Sequence, residues 1–183
     1  MLNPTAAILI IGDEILSGRT RDSNMHYLSC ELTKFGIDLQ EARFIPDNAV
    51  KIIDAVRCLS SKYDYVFTSG GIGPTHDDIT ADCIAAAFET KISIREDAFK
   101  LLENYYSEQN IDFNSARQRM ARIPNGAKLI DNPISVAPGF YLNNVFVMAG
   151  VPNIFQSMVQ SILPLLLNGK PVLSKSVRIP RGE

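Results

Sequence analysis

The sequence predicts an α/β fold with three αβα layers and a mainly parallel sheet, and three observations point to it. Short apolar runs recur, each ended by glycine or by a proline–aspartate pair. Between them lie stretches with apolar residues at helical spacing. The alternation runs β-α-β-α-β-α through the first half, and crossover helices of that kind make neighbouring strands parallel, with helices on both faces.

Ala6 to Ile11 is the first strand, since it is short, rich in isoleucine and stopped by Gly12. Gly12 to Arg21 reads as a loop. A helix opens near Asp22 or Ser23, carries Leu28, Leu32 and Phe35 on one face and closes at Gly36. Ile37 to Ile45 is extended. Pro46-Asp47 then punctuates, and Asp47 or Asn48 caps a helix holding Ile52, Ile53, Val56 and Leu59. Tyr65 to Thr68 is the third strand; the helix beyond it is legible in Ile84 to Phe88, with Asp78 or Thr80 as N-cap.

The second half is less regular. Glu96 to Ser107 is helical, with Phe99, Leu102 and Tyr106 in register, and Asn114 to Ala121 is a shorter polar helix. Ala127 to Ile130, a turn at Asn132-Pro133, Phe140 to Leu142 and Val145 to Ala149 follow. The last two, joined by Asn143-Asn144, read as a hairpin that adds a small antiparallel edge to the sheet. Pro152 starts a helix through Ile154, Phe155, Met158, Ile162 and Leu166, which Pro164 kinks or shortens. Val172 to Ile179 is a further strand. Residues 1–183 read as one domain, with 164–183 as helix end and tail.

At 183 residues and 46% hydrophobic, the chain can bury a substantial core without staples. Charged residues make up 21% and the net charge is -2, which excludes a broad electrostatic hold on nucleic acid or an anionic membrane. The three cysteines, Cys30, Cys58 and Cys83, are odd in number and fall in predicted helices, so they read as small reduced core residues. No segment is long and apolar enough to span a bilayer, and the start MLNPTAAILIIGDE lacks a signal-peptide pattern, so a cytoplasmic address is expected.

The chemistry concentrates in Thr68 to Thr80, TSGGIGPTHDDIT. A glycine-rich turn between a strand and a helix lets backbone amides approach phosphate oxygens, and adjacent carboxylates can hold the cation that phosphates bring. Gly70, Gly71 and Gly73 match neither the dinucleotide fingerprint nor a P-loop. The same letters serve a tight turn with Asp77 and Asp78 as solvated caps, but two carboxylates, a histidine and a threonine in one turn favour a ligand. The amides of Ser69 to Gly73 form the candidate phosphate cradle, with Thr75 or His76 orienting a leaving phosphate. Asp78, with Asp77 or Glu14, forms the candidate metal site.

Ligands of parallel sheets sit at the carboxyl ends of strands, and Gly12-Asp13-Glu14 follows a strand on that same edge. Asn24 caps its helix or contacts a ligand, and Asp47 is an N-cap or a catalytic residue. Ala137-Pro138-Gly139 and Gly150-Val151-Pro152 form pocket walls or plain turns. Arg117, Arg119, Arg122 and Lys128 read as a solvated face from which one residue can reach an anion.

GDEILSG at Gly12 to Gly18, Asn24, TSGGIGPTHDDIT, Asn132-Pro133 through Ala137-Pro138-Gly139, and Gly150-Val151-Pro152 together resemble the molybdopterin-binding-like domain at the N-terminus of CinA, the competence/damage-inducible protein. The resemblance covers nearly the whole chain. Related domains begin the eukaryotic FAD synthases and occur in MogA, MoaB and MoeA. In the molybdenum-cofactor branch, the resemblance implies, the matching loop binds molybdopterin phosphate, and aspartates matching Asp47 and Asp78 serve adenylylation or metal binding. Ile72 stands where that branch usually has threonine. This points to the CinA side, associated with metal-dependent cleavage of the pyrophosphate in ADP-ribose and similar dinucleotides.

The residues and the resemblance together point to a pyrophosphate hydrolase with Asp78, Asp47 and His76 as catalytic residues, His76 from its place in the glycine turn, and a divalent metal (Mg, Mn or Co) as cofactor. A molybdopterin-binding or adenylylating protein is one alternative, and a non-catalytic nucleotide or pterin sensor is the other. It also implies a homo-oligomer, dimer or trimer. The chain ends at Glu183, so neither the deamidase activity of full-length CinA nor FAD synthesis is expected.

Overall fold

The computed structural model describes residues 3–171. In chain order the elements are β1 (Thr5–Ile11), α1 (Asp13–Leu16), α2 (Asn24–Lys34), β2 (Asp38–Ile45), α3 (Ala49–Lys62), β3 (Tyr65–Ser69), α4 (Thr80–Ala87), β4 (Ile92–Ile94), α5 (Glu96–Glu108), α6 (Ser115–Gln118), β5 (Arg122–Pro124), β6 (Lys128–Ile130), β7 (Gly139–Leu142), β8 (Val145–Met148) and α7 (Pro152–Ile162). One-turn 3-10 helices occupy Arg119–Ala121 and Leu163–Leu165.

Six strands form the main sheet in the order β2-β1-β3-β8-β7-β6. β1 runs parallel to β2 and β3, and β3 runs parallel to β8, while β7 and β6 complete the expected antiparallel edge. The side-chain period of two explains why β1 reads as an unbroken apolar run. Ala7, Leu9 and Ile11 pack on one face with Ile52, Val56 and Leu59 of α3 and Ile84 of α4. Ala6, Ile8 and Ile10 pack on the other with Leu28 and Leu32 of α2 and Phe155, Met158 and Ile162 of α7. β2, at the edge, alternates exposed and half-buried residues instead.

Several local expectations are corrected. The Gly12 to Arg21 loop contains the single turn α1. Asn48, not Asp47, caps α3 by accepting the Lys51 amide at 3.1 Å. Neither Asp78 nor Thr80 caps α4: Ile79 holds that position without a side-chain bond, because both neighbours are engaged in the preceding loop. Asp22 receives the amides of Asn24 and Met25, each at 3.2 Å, and so opens α2. Ile92–Ile94 and Arg122–Pro124 pair as a separate antiparallel ribbon that was not anticipated. Cys83 is buried, but Cys30 and Cys58 are exposed, since they lie on the outer faces of their helices. Pro164 ends α7 in the 3-10 turn as expected, and the Val172 to Ile179 strand lies outside the described residues. Among the described residues no helix is long and apolar enough to cross a membrane.

Candidate functional site

Four parallel strands place their carboxyl ends on one edge, where Gly12-Asp13-Glu14, Pro46-Asp47, Gly70 to Ile79 and Gly150-Val151-Pro152 converge. The glycine loop is shaped by conformations other residues resist. Gly70 has φ 108° and Gly71 φ 71°, and a Cβ would strike the Ile11 carbonyl at the first and the Thr80 hydroxyl at the second. Thr80 is fully buried and consumes both neighbouring carbonyls: its amide donates to Gly71 O at 2.9 Å and its hydroxyl to Gly70 O at 3.1 Å.

The amides divide into two groups. Gly70 N–H donates to Met148 O at 3.1 Å, Thr75 N–H donates to Asp78 Oδ2 at 2.9 Å, and Ser69 is a strand residue whose hydroxyl accepts from Asn24. By contrast, the amides of Gly71, Ile72 and Gly73 have no acceptor among the described residues. The cradle expected over Ser69 to Gly73 therefore narrows to these three. They line a cavity of about 480 Å³ whose other walls include Glu14, Asp78, Met120, Asn132, Ala137, Gly150 and Pro152. That volume suits a small-molecule ligand.

Asp78 faces this cavity, but Oδ2 also accepts the Thr75 hydroxyl at 2.5 Å, so the carboxylate first holds the loop's shape. His76, Asp77 and Thr75 are exposed and do not line this cavity. Gly139 is a buried β7 residue pressed beneath Val147 O, a packing glycine without access to ligand. Pro138 is buried and reaches only a small side pocket of about 20 Å³ beside Gly71 to Gly73.

Asp13, Glu14 and Asp77 lie near enough to Asp47 for their charges to act on it, and of the four only Glu14 lines the cavity. Asp47 accepts the Asp13 amide at 3.0 Å, yet burial, reinforced by the negative charges of Asp13, Glu14 and Asp77, holds its carboxyl above the usual aspartate range. Gly12 is buried and donates its amide to Ile45 O at 3.1 Å, which joins β1 to the end of β2 and brings Asp13 against Asp47. Among the described residues no three His, Cys, Asp or Glu side chains converge as a metal-binding group. Glu14 and Asp78 both line the cavity and are the two carboxylates that could hold a divalent ion there.

Of the four basic candidates, the structure singles out Arg119. Arg122 makes a bidentate pair with Asp82 at 2.6 and 2.9 Å, Arg117 donates to Asp112 O and lies over Tyr106, and Lys128 lies over Tyr141. Arg119 has no ion pair or acceptor among the described residues, its Nε is buried, and it lines the small pocket beside Gly71 to Gly73. Sequence reasoning placed it on a solvated face because nothing local distinguishes it from its neighbours. Thr20, Met120 and Asn132 were likewise missed as lining residues. Asn132 is signalled only by its asparagine–proline turn: its amide nitrogen donates to Ser135 Oγ and Ala137 O, holding Val136 at φ 63°.

Comparison with known proteins gives a consistent picture. The family described as a probable molybdopterin binding domain matches residues 7–168. A protein of Metallosphaera sedula is 36% identical over 172 residues, which cover 91% of this chain and 65% of that protein, so the chain spans just under two thirds of its relative. A Pyrococcus horikoshii protein is 35% identical over 183 residues, 93% of this chain and 72% of its own length. Among solved structures, CinA of Thermoplasma acidophilum, described as of unknown function, superposes with a TM-score of 0.79 at 30% identity, covering 86% of this chain and 96% of that one. The tungsten cofactor synthesizing protein MoaB of Pyrococcus furiosus gives 0.55 at 19% identity, over 87% and 89% of the two chains, and shares the fold.

Proposed function

The chain belongs to the molybdopterin-binding-like domain family, on its CinA side, and from that membership we propose that it binds a small phosphorylated heterocycle of the molybdopterin class. The observation that carries this reading is that Gly71, Ile72 and Gly73, whose amides have no acceptor among the described residues, line a cavity of ligand size. A phosphate there receives backbone N–H bonds from a loop already held rigid by Thr80 and Asp78, so little ordering is left to be done on binding. Arg119 adds a positive charge that has no partner among the described residues. Ile72 and Met120 supply apolar wall for the ring system.

The test is calorimetric titration with a pterin phosphate and with inorganic phosphate, alongside Gly71→Ala. Micromolar-class binding of the pterin phosphate, weakened in the variant, supports the reading. A folded wild-type chain that binds neither removes it. Assembly as a dimer or trimer belongs to the same proposal and is checked by light scattering.

The crowded acids favour a second reading, hydrolysis of a pyrophosphate bond in an ADP-ribose-like dinucleotide. Water would attack one phosphorus, the bridging P–O bond would break, and two phosphomonoesters would leave. Asp47, which lies against the Asp13 amide next to the cavity residue Glu14 and whose carboxyl burial raises, would take the proton from that water. The amides of Gly71 to Gly73 would hold the phosphate that is not attacked. Glu14 and Asp78 would hold a divalent ion arriving with the substrate, whose chemistry is charge neutralisation and polarisation of phosphoryl oxygens. AMP release from ADP-ribose with Mg²⁺, Mn²⁺ or Co²⁺, abolished by Asp47→Asn, is the expected result. Inactivity with all three ions leaves the binding reading alone.

A further inference from the structure

Two carboxylates line the main cavity, and they differ in what they already hold. Asp78 Oδ2 accepts both the amide and the hydroxyl of Thr75. Glu14 is only half-buried, and among the described residues its carboxylate has neither a hydrogen-bond donor nor an ion pair. Neither of its oxygens is among the closed-off, unpartnered side-chain atoms of the molecule, so both remain within reach of a ligand.

Gly12 gives that carboxylate its bed. At φ 160° the backbone there is extended and open to any residue, so conformation does not ask for glycine. Space does: a Cβ on Gly12 would lie 2.5 and 2.6 Å from Glu14 Oε1 and Oε2, which shows the carboxylate folded back onto the bare Cα. Gly12 directly follows β1 at the carboxyl edge of the sheet, and Glu14 shares the cavity wall with Gly71, Ile72 and Gly73.

No lysine, arginine or histidine lines this cavity among the described residues, so nothing within it answers the two oxygens. A carboxylate with both oxygens open is matched by two parallel N–H groups. Arginine supplies that fork in proteins, and a ring N–H beside an amino group supplies it in a heterocycle. The 2-amino-4-oxo pyrimidine ring of a pterin, and the equivalent edge of guanine, carry such a pair. Adenine sets a ring acceptor beside its amino group, and a carboxylate repels that acceptor. Ile72, Ala149, Pro152 and Ile154 give the cavity aliphatic wall suited to the faces of a flat ring.

We propose that Glu14 reads the donor edge of the bound heterocycle, so that the ligand class is a phosphorylated 2-amino-4-oxo pterin or purine. This rests on the phosphate-loop reading and deepens it. It also competes with the ion-holding role of Glu14 in the hydrolytic reading, since a carboxylate with both oxygens on the ring has none left for a cation.

Calorimetry on the full chain in EDTA, with inorganic phosphate and two matched pairs, tests this. The pairs are 6-hydroxymethylpterin phosphate against its lumazine counterpart, and GMP against xanthosine monophosphate; in each, oxo replaces the 2-amino group. The wild type is expected to favour the amino member by about 10- to 100-fold, and the pair bound more tightly identifies the source. Glu14→Gln presents one acceptor and one donor, so its preference should invert towards the oxo member. In Gly12→Ala the new methyl group meets only the end of a flexible side chain and displaces the carboxylate, so the folded variant should bring the ratio towards one. That variant keeps the test open should Glu14→Gln fail to fold. Equal affinities within both pairs, a preference that survives Glu14→Gln, or one that requires Mg²⁺ would overturn the proposal. Binding of inorganic phosphate without either heterocycle removes this inference alone, whereas failure to bind any probe removes the phosphate-loop reading with it.

Discussion

Gly71→Ala puts the phosphate loop under the sharpest test. At φ 71° an alanine sits in the left-handed region, at a cost of about 1–2 kcal/mol. The new Cβ would also overlap the Thr80 hydroxyl and lie 3.1 Å from Thr80 Cβ, so Thr80 must turn or retreat. It then gives up its 3.1 Å bond to Gly70 O, worth about 1 kcal/mol. The sum is about 2–3 kcal/mol, or about 5–10 °C in melting temperature for a chain of this size. Urea denaturation read by far-UV circular dichroism measures it, and Thr80→Ala in the same background isolates the shared part. The double variant should cost about 1 kcal/mol less than the two single variants added together. A Gly71→Ala chain as stable as wild type within about 0.5 kcal/mol would refute the geometry from which the open amides were read.

Other perturbations follow from the same structure. Asp47 titrates above the ordinary aspartate value of 3.8, so its ionisation works against the fold: the loss begins as pH rises past that value and is complete above the raised one. Asp47→Asn keeps an acceptor for the Asp13 amide and should raise the melting temperature at neutral pH, with the gain vanishing below 3.8; a gain independent of pH would contradict this. Glu41 is the opposite case, held down to about 2 by bonds from Tyr63, Arg43 and Lys62. Its contribution is present above 4.5 and lost as pH falls towards 2, so Glu41→Gln should flatten the acid limb of the stability profile in that window, as followed by thermal melts across pH. Phe155→Ala empties a fully buried site between α7 and the sheet and should cost about 3–5 kcal/mol by denaturant titration, with ligand affinity preserved in the folded fraction.

The sequence disclosed those parts of the molecule that local chemistry determines. β1 was legible because both of its faces meet a helical layer, leaving no polar position to blur it. Gly70 and Gly71 were legible because positive φ leaves few alternatives to glycine. The hairpin at Asn143-Asn144 was marked by residues that tolerate that backbone, and Asn143 indeed has φ 52°. The β4–β5 ribbon was hidden because three-residue strands such as Ile92–Ile94 are too short for a period to show.

The site shows the same divide. Which amides of the loop remain open depends on Met148 reaching Gly70 and on Asp78 reaching back to Thr75, and neither is visible as a pattern. Asp78 was placed at a helix start because aspartate before a helical run usually caps it, whereas the nearer Thr75 hydroxyl and amide won. Arg119 stood among equivalent arginines until Asp82 claimed Arg122 and the Asp112 carbonyl claimed Arg117. Asn24 was read chiefly as a cap, and only the assembled sheet reveals that it bridges Ser69 and Gly150.

The most direct measurement of the central claim is a ¹H–¹⁵N titration of the full chain with a pterin phosphate, following the amides of residues 69 to 75. Gly71, Ile72 and Gly73 are expected to shift downfield together at saturation, while Gly70 and Thr75, already bonded to Met148 and Asp78, move far less. Saturable binding that leaves those three resonances in place, or no binding at all, would contradict it.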